Sequence, residues 1–342
     1  MKSNKATIDE IAKKLGISKM TVSRAINHPE RVGKQTLERV MQMMDEMDYK
    51  PQLVARVMAG SESRTIGFFI KPNKDFIIPP FYGECVKGAT EWLKMLDYST
   101  LIFNASEERS KKLFVDYVNS NLIDGAVVFE GSYDETLLKA LKNNNIPAVC
   151  VGEENSGEYD IPTISANNYE GSRTAVTHLV QKGCRRITHI TGMGEKPSYE
   201  LRIRGYEEVL RENGLRSNII KTENTVEGGI EGFEMLLKSG EPFDGIFCFS
   251  DLVAWGVLKR IYQTGLRVPE DVKVMGFDNI PVAEYTTPSL STVSQNMREM
   301  SKFAVGMLIQ IIGGKKPEKE HLKFDTDLVI RESTEKSPEK GL

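Results

Sequence analysis

Over the first fifty residues apolar positions recur at helical spacing; from Thr65 onward short apolar runs alternate with helical patterns. Ile8, Ile11, Ala12 and Leu15 mark one face of a first helix. Thr7-Ile8-Asp9-Glu10 fits a capping box, in which the Thr7 hydroxyl accepts from an unpaired amide and Glu10 reaches back; Gly16 ends the helix. Ile17 reads as a buried turn residue. Ser18 caps a second helix, Lys19 to Asn27, whose apolar face is Val22, Ala25 and Ile26. After a loop, His28-Pro29-Glu30-Arg31, a third helix from about Lys34 to Met47 carries Leu37, Val40, Met41, Met44 and Met47 on one side. Three short helices, the first two joined by a tight glycine turn, describe a helix-turn-helix unit.

Pro51 can open a helix but not continue one, and the stripe Leu53, Val54, Val57 and Met58 is too short to hold a helix alone. Gly60-Ser61-Glu62-Ser63 reads as a flexible tether, so the segment is poised between order and disorder. Beyond it, strands at 66–70, 101–103, 125–129, 148–151, 187–190, 219–220, 245–249 and 273–277 alternate with helices at about 82–95, 111–119, 135–143, 169–182, 202–213, 230–238 and 252–263. Such alternation means parallel sheets covered on both faces. There is about twice the material of one open doubly wound sheet, which predicts two subdomains with a ligand cleft at the strand C-termini.

Composition changes this picture only when it is divided. The 342 residues, 40% hydrophobic and 27% charged, suit an ordinary soluble protein of two or three domains at ~150 residues each. No apolar run approaches the ~20 residues of a membrane helix. The start, MKSNKATIDE, has no apolar export core, so a cytoplasmic location is expected. The formal charge is -3, yet residues 1–64 hold 12 basic and 8 acidic side chains. A basic head on an acidic body suggests that the head meets a polyanion.

The four cysteines, Cys85, Cys150, Cys184 and Cys248, form no CxxC, and the four histidines have no metal-ligand spacing. Gly192-Met193-Gly194 lacks the full GxGxxG, and neither GxSxG nor HExxH occurs. Neither metal nor cofactor is therefore expected. The chemistry lies on the outer face of the second helix, where Lys19, Met20, Thr21, Ser23 and Arg24 remain once the apolar face is buried. Such side chains can reach base edges in a major groove, while hydroxyls and amides hold phosphates. A small bundle with a solvated polar face reads the same from this stretch alone.

Residues 7–28, TIDEIAKKLGISKMTVSRAINH, resemble the DNA-binding headpiece of the lac repressor (LacI) family of bacterial transcription regulators. Tyr49-Lys50-Pro51-Gln52-Leu53-Val54-Ala55-Arg56-Val57-Met58 resembles that family's hinge. The resemblance continues through His178-Leu179 with Gly183 and Arg186-Ile187, and through Asp244-Gly245-Ile246 with Ser250-Asp251. It ends with Val274-Met275-Gly276-Phe277-Asp278-Asn279 and Leu328-Val329-Ile330-Arg331-Glu332-Ser333. The implied fold is an all-α helix-turn-helix headpiece, 1–48, a hinge helix and linker, 49–63, and an α/β core like a periplasmic binding protein, 64–342. The core would hold two doubly wound parallel-sheet subdomains, about 64–163 plus 294–324 and about 164–293 plus 325–335.

By the same resemblance Thr7, Ser18, Thr21, Ser23 and Asn27 hold phosphates, and Lys19, Met20 and Arg24 face bases. The hinge, with Leu53, Ala55 and Met58, enters the minor groove of operator DNA beside its counterpart in a homodimer, Met58 acting as an apolar wedge. Gln52 departs from the family's usual Asn, and Gly33 from the usual Ser that caps the third helix.

In the core the resemblance puts Lys71, Phe81, Tyr82, Arg202, Ser250, Asp278 and Gln295 around a small effector: a sugar, sugar acid or sugar phosphate. Asp278 would accept from paired hydroxyls, Arg202 donate a fork of hydrogen bonds, and an aromatic ring stack on the ligand. Lys71 replaces a small or acidic residue, Gly152 stands where Asp is common, and Glu227 where an aromatic is usual. Lys71 with Arg202 favours an anionic ligand.

The implied function is a non-enzymatic, sequence-specific transcriptional repressor of carbohydrate-metabolism genes. A phosphoprotein corepressor, known for some relatives, stands as an alternative signal. A solute-binding protein would need an export signal and no basic head. A sugar-acting enzyme would need a positioned nucleophile or carboxylate pair, for which the sequence has no motif. The polar end, Thr334 to Leu342, has no leucine heptads and favours a dimer over a coiled-coil tetramer.

Overall fold

The computed structural model describes residues 6–49, 62–73, 76, 78–132, 135–152, 159 and 161–335. Leu53, Ala55 and Met58 of the expected hinge lie outside these residues. At the N-terminus α1 (Ile8–Leu15), α2 (Lys19–Asn27) and α3 (Lys34–Glu46) close around Ile11, Val22, Ala25 and Val40, none of which keeps exposed surface. Met41 does not join them; it is 45% exposed, while Met43 and Met47 pack on the cluster. Neighbouring helix positions lie about 100° apart, and the short α1 and α2 cover only a narrow stripe of α3.

In chain order there follow β1 (Thr65–Ile70), α4 (Pro80–Met95), β2 (Ser99–Asn104), α5 (Glu108–Asn119), β3 (Gly125–Phe129), α6 (Glu135–Asn143), β4 (Ala148–Val151) and β5 (Thr163–Ala166). Then come α7 (Asn168–Gln181), β6 (Ile187–Gly192), α8 (Pro197–Glu212), β7 (Asn218–Thr222), α9 (Val226–Ser239), β8 (Gly245–Cys248), α10 (Asp251–Thr264) and β9 (Lys273–Met275). The last are α11 (Val282–Tyr285), β10 (Thr292–Ser294), α12 (Met297–Ile312), β11 (His321–Phe324) and β12 (Asp327–Val329).

Two parallel sheets result, ordered β11-β5-β4-β3-β1-β2 and β7-β6-β8-β9, with β10 and β12 as an antiparallel pair. Strands β1, β3 and β6 are buried along their whole length, because helices cover both faces. In the first lobe Phe68 and Val127 pack with α4 and α12, and Phe69 and Val128 with α5 and α6. In the second, Ile190 and Ile246 face α9 and α10, while Ile187 and Phe247 face α7 and α8. The chain passes between the lobes after β5, after β10 and after β11.

Several findings differ from the sequence expectation, whose elements end with the strand at 273–277; α11, β10, α12, β11 and β12 all lie beyond it. Helix α8 begins at Pro197, five residues ahead of the expected start, so Arg202 sits inside the helix. Strand β5 was not expected; its sequence, Thr-Ile-Ser-Ala, is half polar, and its pairing with β4 and β11 makes it a strand. The expected tether is pinned at its end: Ser63 is buried, and the Ser63 and Arg64 amides donate to Asp124 at 2.9 and 2.7 Å.

Candidate functional site

The first candidate site is built by local rules. Thr7 and Glu10 form the full capping box: Thr7 N–H donates to Glu10 at 2.9 Å and Glu10 N–H to the Thr7 hydroxyl at 3.3 Å. Gly16 takes the left-handed conformation, φ 67°, that turns the chain into α2. Ser18 caps α2, accepting from Thr21 N–H at 3.1 Å. Burial of Val22 and Ala25 then forces the other face outward.

On that face Met20 is 67% exposed, and Arg24 lies against its sulfur at 3.7 Å. Lys19 pairs with Asp9 at 2.9 Å, both well exposed, an interaction worth about 0–1 kcal/mol and easily traded for a phosphate or base. The Thr21 hydroxyl shares a hydrogen bond with Ser18, and Asn27 donates to Ser23. Gly33 opens α3 with no side-chain cap, as its lack of a hydroxyl dictates.

The second site needs the whole core. Lys71, Phe81, Tyr82, Arg202, Ser250, Asp278 and Gln295 all line one cavity of ≈ 210 Å³ between the lobes. Ligand pockets for drug-sized molecules run to roughly 300–1,000 Å³, so this space suits a single small ring.

Arg202 projects from α8, buried to 6% exposure, with its guanidinium 3.7 Å from the centre of the Phe277 ring. Its Nε donates to Asn168 at 2.9 Å, and Nη1 donates to the Phe249 carbonyl and lies 3.8 Å from Asp278. Much of the expected fork is therefore committed inside the protein. Asp278 has φ 119°, a strained backbone for a residue with a Cβ, and its carboxylate accepts from Gln295 at 2.5 Å. Burial pushes this carboxyl well above the usual carboxylate range, against the pull of Arg202 and the donation from Gln295. Asp251 holds the loop in place, accepting from Ile280 N–H at 2.8 Å and from Thr292 at 2.5 Å.

From the first lobe, Tyr82 packs tilted against Phe129, with centroids 4.8 Å apart, and donates to the Glu130 carbonyl at 3.4 Å. Phe81 packs against its edge. Lys71 follows β1, its amide held by Ser132 at 3.1 Å. Ser250 caps α10 and donates to Asn224 at 2.6 Å.

Glu130, Asn168 and Lys196 also line the cleft and were not singled out by the sequence. The usable signal was position: Glu130 directly follows β3, and parallel strands deliver ligand-facing residues at their C-termini. Glu130 crosses the cleft to accept from Ser198 N–H at 3.0 Å, capping α8, whose own cap position makes no side-chain bond. Burial raises its carboxyl, opposed by Ser198 and Lys196. Gly152 makes this possible: at φ 119°, a Cβ there would lie 2.7 Å from that of Glu130. A side chain at position 152, where the family resemblance makes Asp common, would thus collide with Glu130.

Two of the four histidines are held by contacts inside the fold. His178 shares a hydrogen bond with Thr334 at 2.9 Å, and His189 stacks on Phe247 while its Nδ1 bonds the Phe247 carbonyl at 2.9 Å. Among the described residues no three metal-ligating side chains come together, and no helix is long and apolar enough to cross a membrane.

The model of bacterial regulatory proteins of the lacI family matches residues 7–52, and that of periplasmic binding protein-like domains matches residues 176–334. The chain is 32% identical to the HTH-type transcriptional repressor CytR of Escherichia coli (strain K12) over 343 residues, covering 97% of each. It is 30% identical to the ribose operon repressor of Halalkalibacterium halodurans, covering 96% of this chain and 97% of that one. The transcriptional regulator CelR-cellobiose complex superposes with TM-score 0.73 at 27% identity, over 96% of this chain and 99% of that one. The lac repressor dimer bound to operator and the anti-inducer ONPF superposes at TM-score 0.83 and 24% identity over the same shares, which shows a common fold. With its helix-turn-helix, its two-lobed core and relatives matched along nearly their whole length, this protein belongs to the lacI family of bacterial regulatory proteins and is a transcriptional regulator, not an enzyme.

Proposed function

We propose that the protein is a homodimeric repressor that binds operator DNA through its headpieces and is controlled by a small sugar-like effector in the cleft. The observation that carries this reading is the convergence of seven side chains, from Lys71 to Gln295, on one ring-sized cavity. Relatives point the same way: CelR was solved with cellobiose, and a regulator from Alkaliphilus metalliredigens QYMF with D-xylulofuranose.

In this reading Lys19, Met20 and Arg24 face bases in the major groove, and Thr7, Ser18, Thr21, Ser23 and Asn27 contact phosphates. The hinge, 49–63, enters the minor groove with Leu53, Ala55 and Met58. The core from 64 onward divides into the two subdomains given above. Effector binding shifts the lobes between two arrangements and so changes the spacing of the two hinges; it can do this only by its differential affinity for them.

Gel shift on the DNA flanking the gene, with and without pentoses, hexoses and their acids and phosphates, tests the reading. Specific retention that one of these ligands alters is expected. Equal affinity for random duplexes, or a strictly monomeric protein, would sink it. Met58→Asp should abolish specific retention and leave the core folded.

A further inference from the structure

Among the described residues, the charges that line the cleft are not balanced. Lys71, Lys196 and Arg202 line it against two carboxylates, Glu130 and Asp278. Arg202 is already bound to Asn168, to the Phe249 carbonyl and, more loosely, to Asp278. Glu130 gives a carboxylate oxygen to Ser198 N–H. Among the described residues the two lysine ammonium groups make no hydrogen bond or ion pair, although both face the cavity.

They also come from different lobes. Lys71 follows β1 of the first lobe; Lys196 directly precedes α8 of the second and lies 5.4 Å over the Tyr199 ring. The Lys196 stem leans against the first lobe, where a Cβ on Gly131 would meet its Cε at 2.9 Å. Burial lowers the Lys196 pKa; Glu130 opposes this, and the charges of Lys71 and Arg202 add to it. Closing a cleft on ammonium groups without counter-charge is costly, and a ligand that brings the counter-charge removes that cost.

We propose that Lys71 and Lys196 form a two-lysine seat, one from each lobe, for an anionic group carried on the effector ring, a phosphate or a carboxylate. The inference rests on the cleft being the effector site. It moves the anion contact from Arg202, whose Nε and Nη1 already bond within the protein, to Lys196, and leaves Asp278 and Gln295 to the ring hydroxyls. A sugar without an anionic group would leave the seat empty and bind less tightly than its acid or phosphate.

Inorganic phosphate and acetate serve as minimal probes in thermal-shift titrations of the full chain, at constant ionic strength with chloride as the balance. One of the two should raise the melting temperature beyond chloride. Lys71→Gln and Lys196→Gln should each weaken that effect at least tenfold, and Lys196→Arg should restore it. Melting in chloride alone checks that each variant folds. A stronger response to phosphate assigns a phosphate ester, and a stronger response to acetate a carboxylate. No response from either anion, or a loss in only one of the two glutamine variants, overturns the seat. Gel shift separates this from the wider reading: two-lysine anion binding that changes neither DNA affinity nor sugar binding would keep the seat and remove the effector role of the cleft.

Discussion

The headpiece and the cleft solve opposite problems. In the headpiece, Lys19, Met20 and Arg24, the side chains proposed to face bases, are exposed on a single nine-residue helix, and only a few buried neighbours are needed to aim them. In the cleft, Arg202 and Asp278 are almost fully buried and bound to partners far away in sequence. An exposed reading face needs only a helix of the right orientation. A buried polar site needs every donor and acceptor satisfied, so its residues are chosen by one another. Damage should therefore stay local in the first region and spread in the second.

The largest test of that contrast is Val22→Asp. It puts an unpaired carboxyl among five other buried residues and should cost about 4–7 kcal/mol, the penalty for such a group in an apolar core. DNA retention should vanish while the core melts as before; a shifted core transition would break the separation. Arg202→Ala should cost the core about 3–5 kcal/mol, because Asp278 and Asn168 lose their buried partner. Denaturant unfolding should show this loss in the core transition, and effector binding should go with it. An unchanged midpoint would mean that the cleft network is not coupled.

A pH series sharpens the same point. Burial lowers His189 from 6.5 to about 4. Between those values the unfolded chain carries a proton that the folded chain refuses. His189 by itself should thus lower stability by up to about 3 kcal/mol as pH drops through that window, while the raised carboxyls of Asp278 and Glu130 act in the opposite sense, so its contribution is read as the difference between the parent protein and His189→Gln. His189→Gln should remove that contribution; equal slopes in both proteins would contradict the assignment. The smallest effect is a gain. Gly33 has cap-compatible angles, φ -60° and ψ 141°, and nothing lies within 4 Å of an added Cβ. Gly33→Ser should stabilise the headpiece by a few tenths of a kcal/mol, seen as a higher melting temperature of that transition.

What could be read in advance differs between the regions for the same reason. Thr7, Gly16 and Ser18 act within three or four residues of themselves, so the sequence showed their caps and turn directly. Met41 was misjudged because which stripe of α3 is covered depends on how α1 and α2 lie across it. In the core the apolar strand runs announced parallel sheets, and the family resemblance named seven cleft residues. Glu130 and Lys196 carried no motif. Their importance arises where β3 of one lobe meets the start of α8 of the other.

The helix-turn-helix and the alternation of strands and helices as far as β9, β5 apart, follow from the sequence itself, because caps, turns and hydrophobic periods are short-range properties of the chain. Which cations remain uncompensated, which carboxyl is pushed toward neutrality and which glycine must admit a neighbour were decided only by the tertiary structure. Burial and charge pairing depend on distances between residues that the chain itself places far apart, and three crossings between the lobes set those distances.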